Sequence, residues 1–298
     1  MTYALTRLPD AQLEPLRRAY AEAIAAKRRQ TTLGGAILVA VIVISAYTAE
    51  VQLGTLFKNI DDFFNYFIRL FIFDSGPDAG RPAWTDVGEW FWGLRDWLSL
   101  LFDTILIAYL ATLTGSVAAF FACFLAAKNL GPNPVLRGVV KRLFELCRTV
   151  PEIVFALIFV VAFGLGPVPG VLAIAIHTIG ANGKLFTEVV ENIDMKPVEG
   201  AIASGGTWAE SIRFAVLPQV LSSFASYALL RFEINVRGAS VMGFVGAGGI
   251  GQDLIEAIRK FYYTDVSAIL LLVMVTVFLI DTGTQQLRHY LLGRDESR

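Results

Sequence analysis

The chain has 298 residues, 55% of them hydrophobic and 17% charged, with a mean hydropathy of +0.58. A soluble domain usually carries about 25% charged residues, so a water-soluble globule is excluded, and several runs reach the roughly 20 apolar residues that cross a bilayer. The formal net charge of −1 identifies no partner by itself; the placement of the basic residues does the sorting.

Residues 1–32 are polar and helix-prone, end in Lys27-Arg28-Arg29 and read as a cytoplasmic arm. They are too long and polar for a signal peptide. Leu33 to Ala49 is the first predicted span. From Leu53 to Phe73, apolar residues at helical spacing oppose Lys58, Asp61, Asp62, Asn65 and Arg69, which predicts an amphipathic helix in the interface plane. The loop from Asp74 to Asp96 holds Trp84, Trp90 and Trp92, with Trp97 just beyond. An interfacial aromatic belt and a carbohydrate-binding cluster both fit these tryptophans. Leu98 to Ala127 is the second span, and Lys128 to Arg148 a basic connector. Pro151 to Gly166, starting near Leu143, is the third; Val168 to Phe186 is the fourth. Val220 to Val236 and Val266 to Leu287 are the fifth and sixth, separated by the glycine-rich loop Gly243 to Gly251 and an amphipathic helix from Gln252 to Tyr262. The expected fold is an all-α membrane bundle of six spans. Cys123 and Cys147 fall near inner span ends and read as reduced packing residues.

Between the fourth and fifth spans lies a stretch with unusually definite local signals. Pro197 suits a first helical position, and Val198, Ala201 and Ile202 share one face. Gly205 and Gly206 end that helix, and Thr207 with Glu210 forms a capping box that opens a second. An ordinary helical hairpin accounts for this pattern. A DNA-reading helix-turn-helix does not, because Lys196 and Arg213 are outnumbered by Asp194, Glu199 and Glu210.

With both termini inside, the segments 1–32, 128–148, 184–218 and 288–298 carry 17 of the 25 Lys and Arg, against 7 in the outer segments. The positive-inside rule selects this orientation and puts the Glu199–Pro218 loop in the cytoplasm.

No Gly-x-x-x-x-Gly-Lys-Ser/Thr loop is present: at Gly183-Lys184, Thr178 stands where the first glycine belongs. Gly246 to Gly251 matches Gly-x-Gly-x-x-Gly, but a membrane span rather than a strand precedes it, so tight turns explain it better than a dinucleotide. No Ser/His/Asp set, metal-ligand spacing or paired carboxylates share a face, and no cofactor is expected in this chain. Ionisable residues inside spans are costly and therefore candidates for function. His177 in the fourth span and Arg231, Glu233, Asn235 and Arg237 in the fifth are the candidates for a translocation path. Glu233 and Arg237 stand four apart in the favourable order for pairing, and Arg231 and Asn235 share that spacing. A hydrogen-bonded histidine and a helix-locking ion pair are the structural alternatives.

Glu199, Ala201, Gly205, Leu217 and Pro218 hold the spacing of the cytoplasmic Glu-Ala-Ala motif of bacterial ABC importer permeases. Gly200 and Ala215 depart from it. The stretches Pro-Val-Glu-Gly (197–200), Val-Leu-Pro-Gln (216–219), Arg-Phe-Glu-Ile-Asn-Val-Arg (231–237) and Gly-Phe-Val-Gly-Ala-Gly-Gly-Ile-Gly (243–251) resemble the permease of phosphonate importers, over roughly Leu98 to Leu292. The resemblance implies a type I importer permease in the bacterial inner membrane. It divides the chain into the arm (1–32), a first span with outer helix and loop (33–97), a transmembrane domain (98–292) with its coupling loop at 194–218, and a cytoplasmic tail (293–298). It implies two cytoplasmic ATPase subunits that bind ATP and Mg, a periplasmic solute-binding protein, a second permease copy in a homodimer, and no nucleic acid. Phosphate, phosphite, methionine or a metal chelate are alternative solutes; a membrane enzyme is the reading of another class.

Overall fold

The computed structural model describes residues 10–74, 78–131 and 133–293. Residues 1–9 of the expected arm and 294–298 of the expected tail lie outside the described residues. The chain forms two compact units, Met1–Asn65 and Tyr66–Arg298, and the division falls within a helix.

In the first unit, α1 (Asp10–Thr48) joins the predicted arm and first span into one uninterrupted helix. Its membrane-length part is Arg17–Thr48, and none of its most apolar window is buried. The helices α2 (Leu53–Lys58) and α3 (Ile60–Arg69) follow, broken at Asn59. α3 buries no residue and exposes Phe63, Phe64 and Phe67, as an interfacial amphipathic helix does.

The second unit is built around α5 (Leu94–Ala126), α8 (Pro167–Glu191) and α11 (Leu217–Met242). Small residues let these helices approach closely. A Cβ on Gly115 would come within 2.8 Å of the Ala175 carbonyl, and one on Gly180 within 2.6 Å of the Phe144 carbonyl. Phe186 and Phe224 stack at 4.1 Å between α8 and α11. α13 (Tyr263–Gly293) packs against α11.

Six spans were expected; among the described residues, four helices are long and apolar enough to cross a membrane, or five if one bent pair counts as a span. The four are Arg17–Thr48, Leu94–Ala126, Trp208–Val245 and Tyr263–Leu291. The expected third span is broken: α6 (Pro134–Thr149) and α7 (Glu152–Phe163) meet at 85°. Pro151 forces the break, since the residue before a proline is pushed out of the helical region, and Val150 is extended at ψ 125. α6 also shows that the predicted connector is an amphipathic helix. The expected fourth span, α8, has 25 residues but not the apolarity. Buried Asn182, Thr178 and three buried glycines lower it, because protein rather than lipid surrounds it.

The tryptophan-rich loop is partly core. Trp90 and Trp97 are buried with Leu70, Phe73, Ile250, Leu254 and Ile269, and the Trp90 indole N–H donates to Ser267 Oγ at 3.0 Å. Trp84 and Trp92 remain exposed. An interfacial belt therefore describes only half of the set. The loop after α11 turns through Gly246, Gly248 and Gly249 at φ +78, +85 and +80 before α12 (Gly251–Arg259). Side chains are strained at these angles. Ile250 N–H donates to Thr104 Oγ1 at 2.9 Å, tying the loop to α5.

Candidate functional site

The loop at 194–218 forms a two-helix knob. α9 (Lys196–Ala203) carries Pro197 in its first turn and closes through Gly205 N–H to the Ile202 carbonyl and Gly206 N–H to the Ala201 carbonyl, with Gly205 at φ +85. The predicted capping box is present: Thr207 N–H donates to Glu210 Oε2 at 2.7 Å, and Thr207 Oγ1 accepts from Glu210 N–H. α10 (Trp208–Ser211) then widens into a π turn at Ile212–Val216, just before Leu217-Pro218. Leu217 N–H reaches back to the Ile212 carbonyl. A proline ring crowds the turn before it and supplies no N–H, which accounts for the widened turn there.

Val198, Ile212, Ala215 and Val216 anchor the knob in one buried cluster with Phe124 of α5 and Phe186 and Val190 of α8. Trp208 Nε1 donates to the Leu130 carbonyl at 2.8 Å. Glu199, Gly200, Ile202, Gly205, Phe214 and Pro218 face outward, with Ile202 59% and Phe214 68% exposed. The knob is thus fixed through its buried cluster and leaves Ile202 and Phe214 exposed. Gly200, a departure from the motif, has nothing within 4 Å of where a Cβ would stand, so the missing methyl leaves no packing defect. Ala201 is half-buried and Leu217 partly buried against the cluster.

Two clamps at the base left no motif in the sequence. Gln219 accepts from Asp194 N–H at 3.0 Å and donates to the carbonyls of Asp194 at 3.2 Å and Ala215 at 2.8 Å, closing the loop across 25 residues. Glu191 accepts from Lys128 N–H at 3.0 Å and Lys141 Nζ at 2.8 Å, joining the ends of α5, α6 and α8. Burial pushes the Glu191 carboxyl up, but the Lys141 and Lys128 partners outweigh it and hold it below the usual range.

The five path candidates separate. Asn235 is 1% exposed, and its Nδ2 donates to Thr112 Oγ1 at 2.8 Å and Thr178 Oγ1 at 2.9 Å, joining α11 to α5 and α8 rather than pairing with Arg231. Glu233 and Arg237 do pair, at 2.7 Å, but within a larger network on α13. Arg237 also meets Asp281 at 3.1 Å, and Glu233 meets Arg288 at 3.3 Å. Asp281 and Arg288 were missed. Their signal was available, since each interrupts or borders an apolar run, and seven residues apart they share a helix face. Arg231 is half-buried, and its Nε is buried without a hydrogen-bond partner. His177 turns Nδ1 toward the Val150 carbonyl, 3.4 Å away, at the break between α6 and α7. The Glu152 carboxylate beside that break lies against Gly238, where a Cβ would come within 2.7 Å of it. Gly238 is seven residues past Arg231, on the same face of α11. Among the described residues, no three His, Cys, Asp or Glu side chains converge as a metal-holding group.

The comparisons with known proteins agree with this architecture. The chain is 42% identical over 200 residues to a phosphite transport system permease protein of Stutzerimonas stutzeri, covering 67% of this chain and 73% of that one. It is 50% identical over 121 residues to a putative cryptic phosphonate transport system permease protein of Escherichia coli, covering 41% of this chain and 99% of that one. In fold it resembles the inward-facing MetNI methionine ABC transporter, with a TM-score of 0.57 at 18% identity over 65% of this chain and 95% of that one. The model of binding-protein-dependent transport system inner membrane components matches residues 118–292. The chain belongs to that family, as a membrane permease subunit of an ABC-type transporter.

Proposed function

We propose that this chain is the permease of an ATP-driven importer that carries a phosphorus oxyanion, namely phosphonate, phosphite or phosphate, across the bacterial inner membrane. Support for the cargo comes from relatives named for phosphite, phosphate and phosphonate transport. The observation that carries the coupling role is the knob itself: base clamped by Gln219 and the Val198–Ile212 cluster, tip exposed, and continuous with α11, which bears the intramembrane charges.

In this reading, Glu199, Gly200, Ala201, Gly205, Leu217 and Pro218 form the docking surface for a separate ATPase. One knob receives one ATPase, so paired ATPases require a second permease copy, and a homodimer is the simplest assembly. Both termini and the 194–218 loop are cytoplasmic. A solute-binding protein docks on the outer face, near 50–97 and 243–265. ATP-driven closure of the ATPases moves the knobs and tilts the spans between two access states. Arg231, with His177 nearby on α8, offers the moving anion a positive charge that holds it without trapping it.

The test is reconstitution with the cognate ATPase and binding protein in liposomes. Glu199→Arg, at an exposed position, is expected to keep the permease folded while separating ATP hydrolysis from uptake; Gly205→Trp strains the turn at φ +85 and is expected to do the same, with co-purification with the ATPase reporting its folding. Wild-type coupling in the double variant would remove the knob from the mechanism.

A further inference from the structure

A cavity of about 210 Å³ opens beside α12, walled by Trp92 and Trp97 and floored by Asp253, Glu256 and Asp265. The two indoles meet edge to face at 5.7 Å. Trp92 is not free to swing, because its Nε1 donates to Asp265 Oδ1 at 3.1 Å. Lys260 pairs with Glu256 at 2.5 Å, so those two charges cancel. The Asp253 side chain makes no hydrogen bond or ion pair among the described residues. Burial, then the charges of Glu256 and Asp96, push its carboxyl above the usual range. The cavity therefore holds uncompensated negative charge between fixed aromatic walls.

That sign is wrong for the cargo. A phosphorus oxyanion approaching Asp253 and Asp265 is repelled, so the cavity lies off its route. It is the right sign, and the right wall chemistry, for an organic cation. Carboxylates accept charge-assisted hydrogen bonds from a guanidinium or ammonium, and indoles attract the same groups electrostatically. A cation entering here also relieves the repulsion among Asp253, Glu256 and Asp96. The volume suits one side-chain head group rather than a folded ligand.

We infer that this cavity is the socket for an arginine or lysine side chain presented by the solute-binding protein as it docks. The inference rests on the importer reading above and adds the chemistry of the contact: the binding protein reads the permease by positive charge at this point. Complementary charge raises association rate and fixes register more than it adds raw affinity.

Titration of the cognate binding protein against the reconstituted permease–ATPase complex tests this, with the half-saturating concentration for ATPase stimulation as the readout. Asp253→Asn should raise that concentration by about tenfold and Asp253→Lys further, and both should flatten its rise with salt. Trp92→Ala keeps the charge and removes a wall. It should raise the half-saturating concentration while leaving the salt dependence in place. Co-purification with the ATPase reports folding of each variant. Equal half-saturating concentrations for wild type and a co-purifying Asp253→Lys variant overturn the socket. Absence of any stimulation of the wild type overturns the importer reading and the socket with it.

Discussion

Asn235 and Glu233 stand two residues apart on α11, and their side chains enter different environments. Asn235 is 1% exposed and its amide donates to the hydroxyls of Thr112 and Thr178. Glu233 joins Arg237, Asp281 and Arg288 in a charged network whose Arg237 side chain is 49% exposed and Asp281 36%. Neutral groups, with both Nδ2 hydrogens of Asn235 donated to hydroxyls and only its Oδ1 left unpartnered, bind three helices at modest cost. Charges left half-exposed at membrane depth are costly in lipid, so this face of α11 and α13 belongs against protein or water. The Asn235 side of the helix is thus tied into the bundle, and the Glu233 side carries the charge that lipid alone does not accommodate.

The sharpest way to break that contrast is to remove the carboxylate that two arginines share. Glu233→Ala leaves Arg237 and Arg288 without it, and should cost about 3 kcal/mol or more. The loss should appear as a lower melting temperature in detergent and loss of uptake. An unchanged melting temperature would show the network to be ornamental. Arg231→Ala should abolish uptake of the phosphorus oxyanion while the complex still co-purifies, since the buried Nε of this guanidinium has no hydrogen-bond partner among the described residues whose loss would loosen α11. Normal uptake would take Arg231 out of the path. Asn235→Leu should cost only about 1 kcal/mol. Thr112 keeps its bond to the Ala108 carbonyl, and the unpartnered Asn235 Oδ1 disappears with the amide. A loss as large as that of Glu233→Ala would place the two clusters in one class. The smallest effect is a gain: Gly200→Ala should stabilise α9 by roughly 0.5–1 kcal/mol, because the site is open. The measurement is thermal unfolding, with ATPase stimulation expected to persist.

Local signals survived into the structure where the chain satisfies itself. Pro197, Gly205 and the Thr207–Glu210 box sit where their own backbone needs them, and all are found as read. The apolar runs that became α5, α11 and α13 were equally legible, because each must face lipid along part of its length. The third and fourth spans were misread for two different reasons. A hydropathy run does not register the 85° break that Pro151 imposes between α6 and α7. Nor does it register that α8 is shielded by neighbours, which frees it to carry Asn182 and His177. For the candidate site, the Glu233–Arg237 pair followed from spacing alone, whereas the partners that decide its role, Asp281 and Arg288, lie on another helix.

What the sequence settled by itself is the class of protein and the internal build of the knob, because composition and capping act within a few residues or through the bilayer as solvent. What only the tertiary structure decided is who meets whom: Gln219 across the loop to Asp194, Asn235 to two threonines, and Trp92 to Asp265 at the cavity. Those contacts join positions 25 to 173 residues apart. Helix packing rather than local propensity brings such positions together, and it depends on the side chains of every helix at once.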